Sequence, residues 1–243
     1  MLSPYTNRFS DITVFKAIAT VITSSNFTFA QNEYYSGIYY IANGKSAIFH
    51  KHVVLDGSVF AEGDISFDGN NATITASGTN PALVAGGSLI INNAQNLVFS
   101  GTAFANERIE MDGHSLDATA SPGDFFSLET NGSFVSSVRV LTAAGGIFAQ
   151  TSIDFSQTQT CAVSGTQNAA ALMAGTTLAT SGGIFSTTGL IYAGGAMTLS
   201  LDQLTHTGIL YAGGNLSVSG PLALVYDPAL FFTPPPFVTG TLP

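Results

Sequence analysis

The sequence predicts an all-β protein, a single parallel β-solenoid of about ten coils with 19–25 residues in each coil. Three observations support this prediction. A short pattern recurs along the chain, apolar and polar residues alternate with period two inside each repeat, and only 9% of the residues are charged. Alternation with period two is typical of strands, and a recurring unit that cannot bury its own inner face is typical of a solenoid.

The clearest repeat lies near the C-terminus, where Gly189–Leu199 matches Gly208–Val218 nineteen residues later. We take the alanine at the centre of each unit, Ala193 and Ala212, as the anchor of its coil. The same template fits upstream, least well at its Ala42 and Thr130 positions. The eight upstream anchors are Ala174, Ala149, Thr130, Ala105, Ala85, Ala61, Ala42 and Thr23. Ten anchors predict ten coils and a rod roughly 43 Å long, at about 4.8 Å for each strand spacing.

Positions counted from the anchor behave as strand positions do. The fourth and sixth residues after it are apolar, as in the pair Ile65 and Phe67, and Ile48 takes the sixth position of the second coil. The residue between them, such as Ser66, is often polar. Glycine recurs two residues after the anchor, at Gly44, Gly63, Gly87, Gly132, Gly195 and Gly214. A glycine that recurs at one corner predicts a backbone angle that other residues tolerate poorly.

One column of mostly apolar residues directly precedes the anchors: Ile22, Ile41, Phe60, Val84, Phe104, Glu129, Phe148, Met173, Tyr192 and Tyr211. The column one residue earlier is apolar as well. Adjacent residues of a strand face opposite sides, so one of the two columns should form an apolar, partly aromatic stripe on the outside of the rod. Such a stripe exceeds the apolar area that a monomer usually exposes, so we expect the C-terminal tail or another subunit to cover it.

The chain divides into an N-terminal extension (1–11), the solenoid (12–227) and an apolar, proline-rich tail (228–243). Asp11–Ile22 could be the apolar region of a signal peptide. However, Val21–Phe29 aligns with Leu210–Val218, which favours the first coil of the mature fold. Any export signal would then have been removed or would lie outside this sequence.

The tail contains three consecutive prolines, which exclude an interior strand and favour an extended polyproline conformation. It also contains three phenylalanines: Phe231, Phe232 and Phe237. These side chains make the tail too apolar to remain free in solution. We expect it either to cap the last coil of its own chain or to dock on a neighbouring subunit.

The charge balance excludes several classes of partner. Six Lys and Arg residues against fifteen Asp and Glu give a net charge of −9, which is unsuited to nucleic acid or to an anionic membrane surface. No apolar run is long enough for membrane insertion. The single cysteine, Cys161, excludes an internal disulfide and a multi-cysteine metal site.

Polysaccharide lyases and hydrolases occur among solenoids, and their active sites need paired carboxylates or a calcium shell with a nearby cation. Two acidic clusters are present, Glu62, Asp64 and Asp68 in one and Glu107, Glu110 and Asp112 in the other. His50 and His52 alternate along one stretch, close to Asp56. No set of acid, base and cation converges on one face, so the sequence predicts no enzyme, no cofactor and no metal site.

Gly208–Gly220, followed by Leu222–Pro228, resembles the C-terminal part of PilX-type accessory proteins of type IV pilus assembly, which carry similar coils and a Tyr-Asp-Pro element. Gly57–Ile65 is also similar to coils of bactofilins, which are polymer-forming β-solenoids. The prepilin cleavage motif and the long N-terminal helix of pilin-like proteins are missing. Both resemblances imply a structural role without catalysis.

We therefore expect a non-enzymatic subunit of an extracellular filament or pilus-associated surface structure. Its partners would be copies of itself or pilus and surface proteins, joined through the solenoid ends, the outer stripe and the tail. The predicted interface residues are Phe60, Phe104, Phe148, Tyr192, Tyr211, Phe231, Phe232 and Phe237. The alternatives are a cell-surface adhesin or carbohydrate-binding solenoid and, less favoured, a polysaccharide lyase or hydrolase.

Overall fold

A computed structural model describes residues 12–69, 71–76, 80–120, 123–127, 131–165 and 170–226. Within these ranges one 3-10 helix, Ile12–Ile18, precedes 24 strands. The strands are β1 (Thr20–Ile22), β2 (Phe27–Phe29), β3 (Tyr34–Ile41), β4 (Ala47–Phe49), β5 (Val54–Ala61), β6 (Ile65–Asp68), β7 (Thr73–Thr75), β8 (Leu83–Ala85), β9 (Leu89–Ala94), β10 (Leu97–Ser100), β11 (Ala103–Ala105), β12 (Arg108–Ala120), β13 (Phe125–Ser127), β14 (Ser133–Ala143), β15 (Ile147–Ala149), β16 (Ser152–Phe155), β17 (Thr160–Ser164), β18 (Ala170–Ala174), β19 (Thr177–Ser181), β20 (Ile184–Ala193), β21 (Met197–Ser200), β22 (Gln203–Ala212), β23 (Leu216–Ser219) and β24 (Leu222–Val225).

These strands form the predicted parallel β-solenoid. Each strand pairs in parallel with strands of the neighbouring coils, and the coil has three faces. Face one runs from β1 to the second half of β22, face two from β2 to β23, and face three from the first half of β3 to β24. Coil 1 therefore consists of β1, β2 and the first half of β3. Coil 10 consists of the second half of β22, β23 and β24.

The interior of the solenoid is a continuous apolar core built from the alternate residues of every strand. Near the N-terminal end, the rings of Phe29, Phe49 and Phe67 form one stack, with centroids 4.2 and 4.5 Å apart. All three side chains are buried. Because equivalent side chains of successive coils lie on one another, each coil is stabilised by its neighbours.

The register differs from the predicted anchors at three coils. The seven alanine anchors from Ala61 to Ala212 stack in one interior column. Coils 1 and 2 contribute Ile22 and Ile41, one residue before the predicted anchors Thr23 and Ala42. Coil 6 contributes Ser127, which stacks between Ala105 and Ala149, and the predicted anchor Thr130 lies outside the described residues.

Burial explains these shifts. Ile22 is larger and more apolar than Thr23, and Ile41 is larger than Ala42, so the observed register places the larger apolar side chain in the interior column. Ser127 is buried there because its hydroxyl donates a hydrogen bond to the Glu107 carbonyl, at 2.7 Å.

The corner of coil 2 is also longer: Ala47 lies six residues after Ile41, whereas its stacked partner Ile65 lies four residues after Ala61. The longer corner puts Phe49 inside coil 2 and turns Ile48 outward, so the predicted position of Ile48 is wrong.

The recurring corner glycines are explained by close approach more than by backbone angle. Among the six glycines of that column, all of them described, only Gly44 has a positive φ, at 66°. A Cβ on Gly63 would lie 2.8 Å from the Gly44 carbonyl oxygen, and one on Gly195 would lie 2.7 Å from the Thr176 carbonyl oxygen. Successive coils therefore approach too closely at this corner for a side chain, and the predicted special angle is wrong at five of the six positions.

The segment before β1 is not part of the first coil. Ile12–Ile18 forms the helix on the outside of the solenoid, and Val21 stacks with Tyr40 in a column that ends at Tyr211. The predicted alignment of Val21 with Leu210 is thus one residue out of register. In the described part of the chain, no helix has the length and hydropathy needed to span a membrane.

Candidate assembly surfaces

An apolar column runs along the outside of face one, as the sequence predicted. The residues are Val21, Tyr40, Phe60, Val84, Phe104, Phe126, Phe148, Met173, Tyr192 and Tyr211, which we call the outer ladder. The two flanking columns belong to the interior core, whereas most of the ladder forms a separate apolar cluster. The outward column is therefore the one that directly precedes the interior anchors.

The aromatic members of the outer ladder stack face to face. The ring centroids of Phe104 and Phe126 are 4.8 Å apart, and those of Phe126 and Phe148 are 4.6 Å apart. Tyr192 and Tyr211 stack at 5.3 Å with nearly parallel rings. The in-register pairing of parallel strands sets these distances, because it places equivalent side chains about one strand spacing apart.

The N-terminal helix covers the first part of the outer ladder. The Phe15 ring stacks on the Phe60 ring at 3.8 Å, with 3° between the ring planes. The Lys16 ammonium lies 3.3 Å from Glu62 Oε1 and 5.0 Å from the centre of the Tyr40 ring. Glu62 also accepts hydrogen bonds from the Tyr40 hydroxyl at 2.7 Å and from the Gly44 N–H at 2.9 Å. These hydrogen bonds, that of Tyr40 first, lower the pKa of the Glu62 carboxyl.

The predicted interface residues fall into three groups. Phe60, Phe104 and Phe148 lie on the outer ladder and are already buried within the chain. Tyr192 is half-buried, and Tyr211, at the C-terminal end of the ladder, is exposed. The tail residues Phe231, Phe232 and Phe237 lie outside the described residues.

Sequence reasoning missed two parts of this surface. Phe126 occupies the ladder position that we assigned to Glu129, because the coil-6 anchor was displaced by three residues. The contact of Phe15 and Lys16 with the ladder was also missed. Lys16 inside an apolar run was the available signal, since such a charge needs a partner at the surface.

The C-terminal end of the solenoid exposes side chains of the interior type. Leu216, Val218, Leu222 and Leu224 of coil 10 are exposed. Their stacked neighbours in coil 9 are all buried: Met197, Leu199, Leu204 and His206. Coil 10 thus has the inward-facing pattern of an interior coil, but no described coil covers it.

A cavity of about 410 Å³ opens at this end. It is lined by His206, Gly208, Ile209, Leu210, Leu216, Leu224 and Tyr226. The His206 ring is buried, its Nδ1 lies 2.9 Å from the Thr187 hydroxyl, and its Nε2 has no hydrogen-bond partner. Burial lowers the pKa of His206, so the imidazole is neutral at pH 7.

The N-terminal end is closed more completely. The rings of Phe27, Tyr35 and Tyr39 surround the buried Phe29, and Phe29 meets each of them edge to face at centroid distances of 4.8 to 5.4 Å. The Tyr35 hydroxyl accepts a hydrogen bond from the Ala30 N–H at 2.9 Å. This end is therefore capped by its own aromatic side chains, although the strands of coil 1 pair on one side only within the described residues.

The acidic clusters are divided among separate partners. Glu62 binds Tyr40, Gly44 and Lys16, Asp64 accepts a hydrogen bond from the Ser88 N–H at 2.8 Å, and Asp68 lies 2.7 Å from His50 Nδ1. In the second cluster, three acids bind separate partners: Glu107 accepts from Ser88 Oγ, Glu110 pairs with Arg108, and Asp112 accepts from Ser137 Oγ. These carboxylates link neighbouring coils or brace the surface.

The remaining candidate chemistry is also dispersed. His52 occupies a turn with φ at 57°, and the contact of Asp68 is with His50. Among the described residues, no three His, Cys, Asp or Glu side chains are placed to hold a metal. Cys161 is buried in the interior core, and burial raises the pKa of its thiol. The absence of catalysis and the adhesin alternative both stay predictions.

The distinctive surfaces are thus the outer ladder and the open C-terminal end. The resemblances to PilX-type proteins and bactofilins stay predictions. Comparisons of the chain with protein-family models, with curated proteins and with solved structures give no match.

Proposed function

We propose that this protein is a non-enzymatic structural subunit that assembles end to end into a filament or surface structure. The observation that supports the proposal is the open coil 10, which presents four exposed side chains of the interior type. An unpaired sheet edge above such side chains is a template for another chain unless it is covered. The proposed setting is the cell surface or the extracellular space, as expected from the sequence.

The strand register supports a head-to-tail junction between two copies. Continuing the columns of the solenoid places β1 of the next copy on the second half of β22, and β2 on β23. Phe27 would then lie on Leu216, and Tyr35 would lie on Leu224, in the positions that equivalent residues occupy between adjacent coils. Each strand of coil 10 thus has a parallel counterpart in coil 1 of a second copy.

The energetics predict an assembly that depends on concentration. Completing the burial of four half-exposed apolar side chains contributes roughly 3–6 kcal/mol, taking half the value of full burial for each. Association costs about 4–15 kcal/mol in lost freedom of the subunits. The junction therefore also needs the backbone hydrogen bonds that three strands would form across it. Each such hydrogen bond contributes about 0.5–1.5 kcal/mol net.

Charge substitution on the two faces of β24 tests the proposal. Leu224 points into the opening, whereas its neighbour Ala223 belongs to the outward column. The wild-type protein should form rods at high concentration, with an axial repeat of about 48 Å, which is ten strand spacings. Leu224→Lys should remain monomeric with an unchanged thermal melt, and Ala223→Lys, with the same charge, should still assemble.

Sedimentation velocity over a concentration series and negative-stain microscopy measure these outcomes. A wild-type protein that is monomeric at every concentration would contradict the proposal. So would assembly of Leu224→Lys at the wild-type concentration.

The role of the C-terminal tail belongs to the same proposal. The chain reaches the tail through Tyr226, which lines the cavity at the open end. The tail is therefore tethered beside the proposed junction, where a cap on its own coil would oppose the junction and a bridge to the next copy would support it. If the tail is a cap, replacing Phe231 and Phe232 by serine should lower the melting temperature of the protein. If the tail is a bridge, the same replacement should abolish assembly and leave the melting temperature unchanged.

A further inference from the structure

An ionisable side chain lies in the interior directly below the open end. His206 belongs to the inward column of face three, where it is stacked between Thr187 of coil 8 and Leu224 of coil 10. Only 1% of His206 is exposed, whereas Leu224 above it is 53% exposed. A single layer of side chains therefore separates the imidazole from the surface proposed for assembly.

The surroundings of His206 suit the neutral imidazole and not the imidazolium. Nδ1 lies 2.9 Å from the Thr187 hydroxyl, and Nε2 has no hydrogen-bond partner. The ring also lines the cavity of about 410 Å³, whose other lining side chains are apolar except that of Tyr226. A protonated ring must donate from both nitrogens, and a charge without a partner is strongly unfavourable in apolar surroundings.

Among the described residues, no carboxylate is placed to neutralise a protonated His206. Asp202 is the one acidic residue between positions 184 and 226, a stretch that is described throughout. It is exposed, lies four residues before His206, and accepts a hydrogen bond from the Gly183 N–H at 3.1 Å. The two strands that pair with this part of β22 are β20 and β24. Their one titratable side chain is Tyr192, which lies on the outer ladder. Water in the cavity is thus what would solvate the added charge.

Head-to-tail assembly would remove that water. In the proposed junction, Tyr35 of the next copy lies on Leu224, and coil 1 of that copy closes the cavity. The imidazolium would lose its remaining solvation, so protonation of His206 would be less favourable in the rod than in the free subunit. By linkage, a proton that binds more weakly in the assembled state must be released when two copies join.

We propose that the open end is a pH-controlled assembly surface, in which His206 must be neutral for a second copy to close over coil 10. The inference rests on the head-to-tail assembly proposed above and adds its regulation. Burial lowers the pKa of His206 in the subunit, and assembly would lower it further. Junctions are therefore favoured above the subunit pKa and are lost as pH falls through it, which is how buried histidines act in other pH-dependent interfaces.

The net charge of the chain acts in the opposite direction. The protein has a net charge of −9 at pH 7 and an isoelectric point of about 4.5. Acidification toward that point weakens the repulsion between copies and by itself favours association. The effect of His206 must therefore be measured against a variant that has the same background charge but lacks the imidazole.

His206→Asn provides this comparison, because its amide keeps a polar atom near the Thr187 hydroxyl and does not titrate. Sedimentation velocity gives the association constants of both proteins between about pH 7.5 and pH 5, the range in which histidines titrate. Circular dichroism confirms that they stay folded. The ratio of the variant's association constant to that of the wild type should rise by up to about tenfold per pH unit below the subunit pKa. His206→Leu, which continues the apolar column, should show the same rise.

His50→Asn is the matched control. His50 lies on the outside of coil 2, with Nδ1 2.7 Å from Asp68, so it is remote from the open end of its own chain. The ratio of the association constant of His50→Asn to that of the wild type should be the same at every pH.

The possible failures are distinguishable. A wild-type protein that stays monomeric at every pH would overturn the proposed function and this inference with it. Assembly of the wild type at pH 7.5, with a His206→Asn ratio that does not change with pH, would overturn the inference alone. An equal rise of the ratio in His50→Asn would also overturn it, because the pH dependence would then belong to another histidine.

Discussion

Truncation of Phe49 tests the interior register most sharply. Phe49 is wholly buried between Phe29 and Phe67, at centroid distances of 4.2 and 4.5 Å. Phe→Ala in a core costs about 3–5 kcal/mol, because burial is lost and a cavity is left. Both stacking partners lose a contact here, so we expect the upper half of that range for Phe49→Ala.

Ile48→Ala is the matched control, since it lies one residue away and faces outward. Its cost should stay near or below about 1 kcal/mol, as is usual for partly exposed sites. Equilibrium urea unfolding followed by far-ultraviolet circular dichroism measures both free energies. If Ile48→Ala cost more than Phe49→Ala, the register of coil 2 would be the one predicted from sequence, and the observed stacking of the phenylalanines would be wrong.

Three further substitutions have signs fixed by the structure. Because the pKa of Glu62 is lowered in the folded state, its carboxylate contributes stability above the unfolded pKa, and this contribution is lost as pH falls. In thermal melts, Glu62→Gln should therefore show a weaker loss of stability than the wild type between about pH 5 and pH 3. Burial raises the pKa of Asp124 to about 6, so the wild type should lose stability as pH rises from about 4 to 7. In urea titrations at pH 8, Asp124→Asn should be more stable than the wild type by on the order of 1–3 kcal/mol. The lowered pKa of His206 means that acidification below its unfolded pKa of about 6.5 destabilises the folded state. The hydrogen-exchange protection factors of the β24 amides, corrected for the slower intrinsic exchange in acid, should therefore be lower at pH 5 than at pH 7 in the wild type but not in His206→Leu.

The repeat pattern was sufficient to predict the fold class and the number of coils. Ala193 and Ala212 stack as predicted because the two coils have equal length and share the residues that form the corner. The outward position of the ladder followed from alternation along a strand, which is a local property of the backbone.

The prediction failed where the corner residues vary. Thr23 and Ala42 resemble anchors in size and are next to the true ones, and only pairing with the neighbouring coil distinguishes the two registers. In coil 6, Ser127 replaces alanine in the interior column because a hydrogen bond to a backbone carbonyl compensates its hydroxyl. Such long-range compensation leaves no trace in the spacing of residues.

The helix contact on the outer ladder was also beyond a pattern of repeats. Phe15 and Lys16 belong to a segment without the coil template, and their partners Phe60 and Glu62 lie more than forty residues away in sequence. The open end of coil 10, in contrast, could be expected from the sequence. The last coil of a solenoid has no following coil to cover it, and Leu216 and Leu224 continue the interior pattern up to that coil.

The stacking of coils also determines how the protein responds to force. The backbone hydrogen bonds between coils point along the rod, because parallel strands of successive coils are stacked in that direction. A pull on the two ends of the chain therefore loads one terminal coil at a time, and each coil that detaches releases 19–25 residues, or about 60–90 Å of chain. Under tension the rod would lengthen in discrete and nearly equal steps, absorbing mechanical work while the remaining coils stay intact.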